Sequence, residues 1–585
     1  MIVCPALSCS GLVTTSPNSS RRFIRLSFLY RSRWCEVGLR KRAPSSPDTP
    51  TRLEENFDSR TTIKMPYDFT TWDRNCLEEQ VTPVQGEVTG TIPPWLRGSF
   101  LLDGPGRMTY GEHEFNHVFD GSALLQRFTF GETGATFCSR FLKSYAYTTN
   151  LENEQIVVSE FGTTGKSVTK GKLAKLGDKF AFDKMFSDNA PVGVVTFGGE
   201  YYCITEAPFL HKIDPTTLET ISKVDLHKEL GINSHCPNPK PLPDGSTLNI
   251  LHAVGATGPK YDIVSFPSKP LDGKATVFAK PKKVGSVDAR WKLNPCHMHT
   301  FGLTENYVVL LEQPLTIDVK AMVANTIRDK PFIGGMEWME NKLVKIHIVN
   351  RETGKEVKQK VKCEAFFFMH IINCYERENH IVIDVNAYKK PDLLHAFHLK
   401  NLRERGASLG NELDGGSVKR IVIPMEVSDK VSPELNLVML AGTKAKANRQ
   451  KDGSLYLTPD AVTDYAYEIP ALHPDYTGKR YRYFYGSCGN MTLTTGKVGK
   501  VDFESREVKE WFEDGLYAGV SCFVPRPGAT AEDDGVLLVT ELHSADRKKV
   551  SVVILNSVDM TEVARVAFST PSDVPRSLHG CFVAA

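Results

Sequence analysis

The fold class is decided by short apolar runs such as His380-Ile381-Val382-Ile383-Asp384-Val385. Similar runs recur along the chain at Ile156–Phe161, Tyr201–Ile204, Tyr307–Leu311, Tyr481–Tyr485 and Val536–Val539. β-Branched and aromatic residues dominate these runs, and turn-forming residues separate them, since the chain holds 44 glycines and 34 prolines. Runs of this length and composition predict β-strands, and long helical patterns are scarce. We therefore expect an all-β protein.

Residues 65–585 carry these strands without a clear break. A single flat sheet of that size would leave exposed edges, whereas a ring of small sheets closes on itself. The pattern therefore favours one β-propeller domain over 65–585, although no repeated motif fixes the number of blades. Two stretches interrupt it, the apolar and irregular 313–342 and the loop-like 440–475. We expect both to be insertions on one face of the propeller.

The first 64 residues differ in composition from the rest of the chain. Residues 1–50 hold eight basic side chains and two acidic ones, together with many serines and prolines. An arginine-rich, acid-poor segment of this kind is typical of a mitochondrial transit peptide, and it is also compatible with a disordered tail or with translation that starts at Met65. The location is then mitochondrial or cytosolic, and we exclude 1–64 from the propeller.

The overall composition excludes several classes of protein. Lys and Arg total 71 against 69 Asp and Glu, so the chain offers no basic footprint for nucleic acid. Thirteen cysteines are scattered singly without a Cys-x-x-Cys pair, which argues against a disulfide framework and fits a reducing interior. No apolar run approaches the roughly 18 residues of a membrane span. The chain can touch a bilayer, but the sequence gives no sign that it crosses one.

Three of the sixteen histidines stand out by their surroundings. His299 lies in Cys296-His297-Met298-His299-Thr300-Phe301-Gly302, just before a strong strand. His370 lies in Phe366-Phe367-Phe368-Met369-His370-Ile371-Ile372, a run too apolar to hold an unpartnered imidazole without cost. His579 lies in Ser577-Leu578-His579-Gly580-Cys581-Phe582 near the C-terminus. A single histidine is more often structural than ligating, so each alone is a weak candidate.

Segments spread along the chain carry a resemblance to a known family. They are Pro93-Pro94-Trp95-Leu96-Arg97-Gly98-Ser99-Phe100, Gly104-Pro105-Gly106, Phe119-Asp120-Gly121-Ser122-Ala123, Ser187-Asp188-Asn189-Ala190, Asp214-Pro215-Thr216-Thr217-Leu218-Glu219-Thr220, His299-Thr300-Phe301-Gly302, Glu532-Asp533-Asp534-Gly535 and His579-Gly580-Cys581-Phe582. In this order, from about Leu77 to Phe582, the chain resembles the carotenoid cleavage oxygenases, the group that includes β-carotene oxygenases and the retinoid isomerohydrolase.

The resemblance implies a seven-bladed β-propeller whose axial metal site is covered by a cap of loops and helices. Family members hold ferrous iron, Fe(2+), with four histidines, and dioxygen cleaves a polyene double bond into two carbonyl products. His299, His370 and His579 match three of those ligands. The spacing is compatible, because His370 follows His299 by 71 residues and seven blades would have about 74 residues each.

The same resemblance extends to the groups that support the ligands. Ligating imidazoles normally donate their second N–H to an acceptor, and in this family the acceptors are glutamates. Glu206 and Glu468 match two of them. The position of the third falls on Val520, which cannot accept a hydrogen bond.

The fourth ligand position also departs from the family pattern. A gap-free reading of Asn238-Pro239-Lys240 against the family's His-Pro-His or His-Pro-Lys motif puts Asn238 in the place of the first histidine. A local slip would bring in His235 instead. An amide oxygen binds ferrous iron more weakly than an imidazole does, so Asn238 predicts reduced metal affinity.

Three functions follow from these observations. The first is an iron-dependent dioxygenase that acts on a carotenoid or apocarotenoid. The second is a family member with impaired catalysis that carries a carotenoid or retinoid, and the third is a retinyl ester isomerohydrolase. The third is less favoured, because Thr163-Thr164-Gly165-Lys166-Ser167 replaces a Pro-Asp-Pro-Cys-type segment of that branch.

Because an apolar polyene partitions into bilayers, we expect peripheral membrane contact through 322–338, with Phe332 and Ile333 foremost.

Overall fold

Seven sheets of four to six strands form the blades of a propeller in this computed structural model. The structure describes residues 69–166, 186–255, 257–271, 276–490 and 493–585. The predicted seven-bladed, all-β architecture is confirmed. The compact unit that contains these residues runs from Met65 to Ala585, and the predicted extension 1–64 lies outside the described residues.

The blades follow one another along the chain. Blade 1 consists of Val84–Gln85, Gly98–Asp103, Pro105–Arg107, Ser122–Gly131, Gly134–Phe141 and His579–Ala584. Blade 2 consists of Gly193–Phe197, Glu200–Ile204, Phe209–Ile213 and Thr220–Asp225. Blade 3 consists of Ser234–His235, Lys240–Pro241, Thr247–Gly255, Gly258–Phe266 and Lys282–Asp288. Blade 4 consists of Gly302–Leu303, Tyr307–Glu312, Val344–Asn350, Val361–Cys363, Lys446–Arg449 and Leu455–Thr458.

The second half of the ring is built in the same way. Blade 5 consists of Ile371–Arg377, His380–Ala387, Ser417–Pro424 and Asp460–Ala461. Blade 6 consists of Tyr467–Ala471, Tyr483–Asn490, Leu493–Asp502 and Val508–Trp511. Blade 7 consists of Glu87–Gly90, Leu516–Pro525, Gly535–His543, Lys549–Asn556 and Glu562–Ser569. Two further ribbons pair Thr109–Tyr110 with His113–Glu114 and Leu315–Ile317 with Met336–Trp338.

The ring is closed from both ends of the domain. Near the N-terminus, Glu87–Gly90 forms the outer strand of blade 7 by pairing with Glu562–Ser569. At the C-terminus, His579–Ala584 pairs with Gly98–Asp103 and completes blade 1. Each closing sheet therefore contains strands that are hundreds of residues apart in sequence, and pairing them removes two free sheet edges.

Blade 5 shows why the sequence forms this architecture. Its first two strands are joined by a two-residue turn, Glu378-Asn379, in which both residues have positive φ (+48° and +59°). Such a turn matches the twist of an antiparallel hairpin. Every residue of the following strand, His380–Ala387, is buried, because neighbouring blades cover both of its faces. This burial explains the uninterrupted apolar residues Ile381-Val382-Ile383, whereas the buried Asp384 of the same strand is paired with Arg420.

Helices are few and short in the described part of the chain. The α-helices are Tyr145–Glu152, Leu226–Leu230, Val319–Ile327, Asp392–Ala396 and Leu399–Glu412, the last of which contains a kink at Gly406. The 3-10 helices are Phe69–Thr71, Val118–Asp120, Phe332–Gly335 and Pro474–Tyr476. Across the described residues, none of the helices has the length and apolar character needed to span a bilayer.

The insertion at 313–342 was predicted correctly. It contains the helix Val319–Ile327, the 3-10 helix Phe332–Gly335 and the two-stranded ribbon, which together cover one end of a cavity. The prediction of a second loop-like insertion at 440–475 was wrong. Short strands from that stretch complete blade 4, blade 5 and blade 6, and Leu455–Thr458 does so through a parallel pairing with Val361–Cys363.

The predicted strand Ile156–Phe161 is also absent, although Ile156 itself is buried. The side-chain oxygen of Asn150 accepts hydrogen bonds from the main-chain nitrogens of Val157 (2.8 Å) and Val158 (3.1 Å). These bonds replace the ladder that a strand would need, as Asn side chains often do.

Candidate metal centre

The three candidate histidines meet at one point. His299 precedes the first strand of blade 4, His370 precedes the first strand of blade 5, and His579 begins the last strand of blade 1. Their ligand nitrogens all lie within 4.8 Å of one another. The ring centroid of His370 lies 5.1 Å from that of His299 and 4.9 Å from that of His579. Residues separated by 280 positions in sequence therefore share one small volume.

Two of the imidazoles are oriented by carboxylates. His299 Nδ1 donates to Glu206 Oε1 at 2.7 Å, and His370 Nδ1 donates to Glu468 Oε2 at 2.6 Å. With a proton on Nδ1, each neutral ring turns the lone pair of its Nε2 toward the other histidines. Both predicted glutamates thus lie where a supporting acceptor is needed.

Of the Nε2 atoms left over, one lacks a hydrogen-bond partner in the described part of the chain, and the other two face each other. His299 Nε2 is buried and has no hydrogen-bond partner in the described part of the chain. His370 Nε2 lies 3.2 Å from His579 Nε2 and accepts a hydrogen bond there only when His579 carries its proton on Nε2; when that proton is on Nδ1, two lone pairs face each other. Buried lone pairs that face one another are costly, and a divalent cation between them removes the cost. The residues present therefore fit a metal ion.

Glu468 is held by an unusual piece of backbone. Ile469, the next residue, has φ of +52°, and the pairing between Tyr467–Ala471 and the neighbouring strand shifts register just after Glu468. A β-branched residue rarely adopts positive φ, and such a bulge redirects the side chains beside it. Glu468 is fully buried, and its second oxygen accepts a hydrogen bond from the Tyr388 hydroxyl at 2.7 Å. The strained backbone thus coincides with the carboxylate that orients His370.

The segments that carry His299 and His370 are linked directly. The Thr300 hydroxyl donates to the carbonyl oxygen of Met369 and accepts from the main-chain nitrogen of Ile371, both at 2.9 Å. These two residues flank His370. One side chain therefore fixes the position of blade 4 relative to blade 5 at the metal centre.

The electrostatics favour neutral imidazoles and a charged carboxylate. Burial lowers the pKa of His299, and the neighbouring His370 lowers it further, against the opposing effect of Glu206. Burial also lowers the pKa of His579 well below its usual range, with His370 and His299 acting in the same direction. Burial raises the pKa of Glu206, but the neighbouring imidazoles of His297 and His299, the second through a hydrogen bond, outweigh it and hold that pKa well below its usual range. Neutral imidazole is the form that binds metals.

A cavity of about 330 Å³ leads to the three histidines. Its wall is mainly apolar and includes Phe119, Phe161, Val192, Ile317, Met322, Phe332, Met336, Met369, Leu394 and Ile469. Its polar wall residues include Glu160, Ser187, Glu206, His252 and His297. Pockets of this size and composition bind small apolar ligands and orient them with a few polar groups.

Asn238 contacts the segment that carries His299. Its Nδ2 donates to the main-chain oxygen of His299 at 3.1 Å, so the carboxamide is anchored to the segment that carries that histidine. His235, the alternative from the sequence, is fully buried, and its Nε2 has no hydrogen-bond partner within the described ranges. His235 does not belong to the group of nitrogens that lie within 4.8 Å of one another.

Val520 is buried and packs among apolar side chains of blade 1 and blade 7. Its main-chain nitrogen donates to the Thr540 hydroxyl at 3.0 Å. The valine side chain offers no acceptor to His579, so the two glutamate–histidine pairs have no counterpart at this position.

His297 and Glu160 belong to the cavity wall and were not singled out from the sequence. His297 Nε2 lies 3.7 Å from Glu206 Oε1, and its ring is nearly parallel to that of His299 at a centroid distance of 6.4 Å. The pattern His297-Met298-His299 could have revealed it, because residues i and i+2 of an extended segment point to the same side. Glu160 is the second, and no local pattern separates it from an ordinary surface glutamate.

The expectation that Ile333 is an exposed membrane contact is wrong. Ile333 is only 5% exposed, and its main-chain nitrogen donates to the Phe161 carbonyl oxygen. Phe332 lines the cavity and packs against the Phe161 ring at 6.1 Å. The insertion 313–342 is called the cap. Its exposed apolar residues are Val323 and Ile327, on the helix Val319–Ile327, which has no buried residues.

Comparison with known proteins gives concordant matches. The family model of the retinal pigment epithelial membrane protein matches residues 73–584. A carotenoid isomerooxygenase of Galleria mellonella is 34% identical over 519 residues, 88% of this chain and 96% of that protein. A mitochondrial carotenoid-cleaving dioxygenase of Mustela putorius furo is 32% identical over 518 residues, 87% of this chain and 95% of that protein. Among solved structures, cobalt-substituted Synechocystis apocarotenoid oxygenase superposes with a TM-score of 0.69 at 21% identity, covering 89% of this chain and 99% of that one.

Proposed function

Because this chain belongs to the retinal pigment epithelial membrane protein family of carotenoid oxygenases, we propose that it cleaves a double bond of a carotenoid or apocarotenoid. Dioxygen is the second substrate, and each of its oxygen atoms ends in one of two carbonyl products. Ferrous iron is the proposed cofactor, held by His299, His370 and His579. The observation that carries the proposal is the meeting of these three imidazoles at the end of an apolar cavity.

Imidazole nitrogens suit ferrous iron, which supplies the electron-transfer chemistry that dioxygen needs. The residues of this chain supply position and environment. Glu206 and Glu468 hold two imidazoles in the tautomer that presents Nε2 to the metal, and their negative charge makes those nitrogens better donors. The apolar wall binds the polyene and excludes water from the reacting double bond.

The departures at Asn238 and Val520 bear on the strength of metal binding. We propose that Asn238 occupies the fourth ligand position, where its amide oxygen binds ferrous iron more weakly than an imidazole would. Among the described residues, no carboxylate supports His579 as Glu206 and Glu468 support His299 and His370, and loss of such a partner typically costs about 10–100-fold in metal affinity. The protein should therefore hold iron less tightly than a relative with the full set of ligands.

The same two departures favour a second candidate function, a carrier of carotenoids or retinoids with little or no iron. A carrier needs only the apolar cavity, which does not depend on either residue. The two functions differ in a simple way, because an oxygenase contains iron and forms products, whereas a carrier retains the polyene unchanged. The isomerohydrolase alternative gains no observation that favours it.

The deciding experiment measures iron and products together. Purified protein is analysed for iron by mass spectrometry and incubated with β-carotene and with β-apo-8′-carotenal under ¹⁸O₂, and the products are separated by chromatography. We expect iron and two carbonyl products, each labelled with one ¹⁸O atom. Stable polyene binding without iron or products would establish the carrier instead. An Asn238→His variant run in parallel should contain more iron than the unmodified protein.

We further propose that the cap contacts a membrane surface through Val323 and Ile327. Both side chains are exposed, and the same helix contributes Met322 and Thr326 to the cavity wall. An apolar substrate could then pass from the bilayer into the cavity without crossing water. Replacing Val323 and Ile327 with serine should weaken sedimentation with phosphatidylcholine vesicles while leaving thermal unfolding unchanged. Replacing the exposed Val558 of blade 7 is the matched control, and equal vesicle binding by all three proteins would refute the assignment.

For the cellular location we propose mitochondria, on the arginine-rich composition of residues 1–50 and the similarity to a mitochondrial relative. Residues 1–64 fused to a fluorescent protein should direct it to mitochondria. A diffuse cytosolic signal would favour the alternative of a cytosolic protein that begins at Met65.

A further inference from the structure

A second carboxyl group faces the cavity and takes no part in orienting the three histidines. Glu160 lines the cavity wall, and its Oε1 accepts a hydrogen bond from the Ser187 hydroxyl at 2.5 Å. That hydroxyl in turn accepts from the main-chain nitrogen of Asn189 at 3.0 Å. Among the described residues no hydrogen bond reaches Oε2 of Glu160. One oxygen of this group is therefore held by Ser187, and within the described part of the chain the other has no partner.

The surroundings of Glu160 disfavour a negative charge. Phe161, Val192 and Phe332 contribute apolar surface to the same wall. Burial raises the pKa of Glu160 well above its usual range, and the nearby carboxyls of Asp120 and Asp188 raise it further, against the effect of the Ser187 hydrogen bond. Among the described residues, the charged groups that shift its pKa are these two carboxyls, and no cation is among them. A carboxyl group in such a place keeps its proton and can donate a hydrogen bond.

We propose that Glu160 is a substrate-recognition residue that donates a hydrogen bond from its carboxylic acid to an oxygen atom of an oxygenated polyene. The substrate class is thus a carotenoid or apocarotenoid with a hydroxyl or carbonyl group, not a pure hydrocarbon. The inference rests on the proposed polyene substrate, but it concerns binding and does not require cleavage.

The expected discrimination follows from the cost of leaving polar groups unpaired. A hydrocarbon at this site removes Glu160 from water without offering an acceptor, whereas an oxygenated polyene restores the hydrogen bond. A site built to pair with a substrate oxygen rejects the analogue that lacks it far more strongly than it rejects a change in apolar size. We expect the oxygenated ligand to bind about ten-fold or more tightly than the hydrocarbon.

The test compares three probes in an equilibrium binding assay that uses quenching of protein fluorescence. β-Carotene has no oxygen, zeaxanthin has ring hydroxyls and β-apo-8′-carotenal has a terminal carbonyl. In Glu160→Met the advantage of the oxygenated probe over β-carotene should disappear. In Glu160→Gln it should persist, because the amide keeps both the acceptor for Ser187 and a donor that faces the cavity. If only one oxygenated probe loses its tighter binding relative to β-carotene in Glu160→Met, its oxygen group, hydroxyl or carbonyl, is the one that Glu160 recognises.

Glu340→Met is the matched control, because Glu340 is an exposed residue of the cap and its replacement should leave all three affinities unchanged. The proposal is overturned if neither oxygenated probe binds more tightly than β-carotene, or if Glu160→Met weakens all three probes equally. Equal weakening would show that Glu160 only anchors the Ser187 segment. The assay measures binding without turnover. If the protein forms no cleavage product, the proposed oxygenase activity is overturned, but the role of Glu160 in binding can still be decided.

Discussion

Replacing Glu468 with glutamine tests how the protein strengthens its metal site. The carboxylate accepts two hydrogen bonds, from His370 Nδ1 at 2.6 Å and from the Tyr388 hydroxyl at 2.7 Å. Glutamine has nearly the same shape and its oxygen can accept from His370 Nδ1, but its amide is neutral and its nitrogen can only donate, so the Tyr388 hydroxyl must turn to accept. A hydrogen bond to a buried charged group contributes about 1.5–3 kcal/mol, against about 0.5–1.5 kcal/mol for a neutral pair. Each of the two bonds should therefore weaken by roughly 1–1.5 kcal/mol.

The two losses should appear in different measurements. Weakening the bond to His370 makes its Nε2 a poorer donor to the metal, and about 1.4 kcal/mol corresponds to a ten-fold loss of ferrous iron affinity. Weakening the bond to Tyr388 lowers the free energy of unfolding without touching a ligand. Tyr388→Phe is the matched control, because it removes the second bond and leaves His370 Nδ1 bonded to Glu468. We expect that variant to be destabilised and to bind iron within about three-fold of the unmodified protein.

Iron affinity is measured by anaerobic titration of metal-free protein against a competing chelator, and stability by urea unfolding of the same samples. The reasoning is refuted if Glu468→Gln binds iron as tightly as the unmodified protein. It is also refuted if Tyr388→Phe loses as much iron affinity as Glu468→Gln, because the effect would then come from general loosening of the site.

Three further predictions concern other parts of the molecule. Asn238→His should raise ferrous iron affinity by about ten-fold in the same chelator titration, and unchanged affinity would mean that Asn238 does not occupy a ligand position. Burial lowers the pKa of His347, but hydrogen bonds to Glu312 and Glu356 outweigh it and raise that pKa. The stabilisation from His347 is therefore fully present below a pH of about 6.5, and it is lost as pH rises through the folded-state pKa. The difference in unfolding free energy between the unmodified protein and His347→Gln should shrink between pH 6 and pH 9. Asp384→Asn breaks a buried bidentate pair with Arg420 and should cost about 3–5 kcal/mol in urea unfolding, whereas a cost below 1 kcal/mol would contradict the pairing.

The fold was largely predictable because its signals are local. Strand His380–Ala387 holds the uninterrupted apolar residues Ile381-Val382-Ile383, and that pattern is visible without any knowledge of neighbours. The failures arose where partners distant in sequence decide the structure. Ile156–Phe161 has strand composition, yet the Asn150 side chain takes its main-chain hydrogen bonds. Leu455–Thr458 lies in a loop-like stretch, but it finds a parallel partner almost a hundred residues earlier.

The candidate site shows the same division. His299, His370 and His579 stand in recognisable surroundings, and the structure brings them together as predicted from the resemblance. Glu160 could not be identified in the same way, because its importance depends on a cavity assembled from several blades and the cap. Ile333 shows the opposite error, since an apolar residue in an insertion can face inward as easily as toward a membrane.

The central claim is that three histidines from separate blades bind one ferrous ion. Iron K-edge X-ray absorption, with metal analysis of the same sample, tests this most directly on the full chain after anaerobic loading and desalting. We expect one iron per chain, with three imidazole ligands in the unmodified protein, and less than a tenth of that iron in His370→Ala. Full iron content in His370→Ala, or an unmodified protein that retains no iron after loading, would contradict the claim.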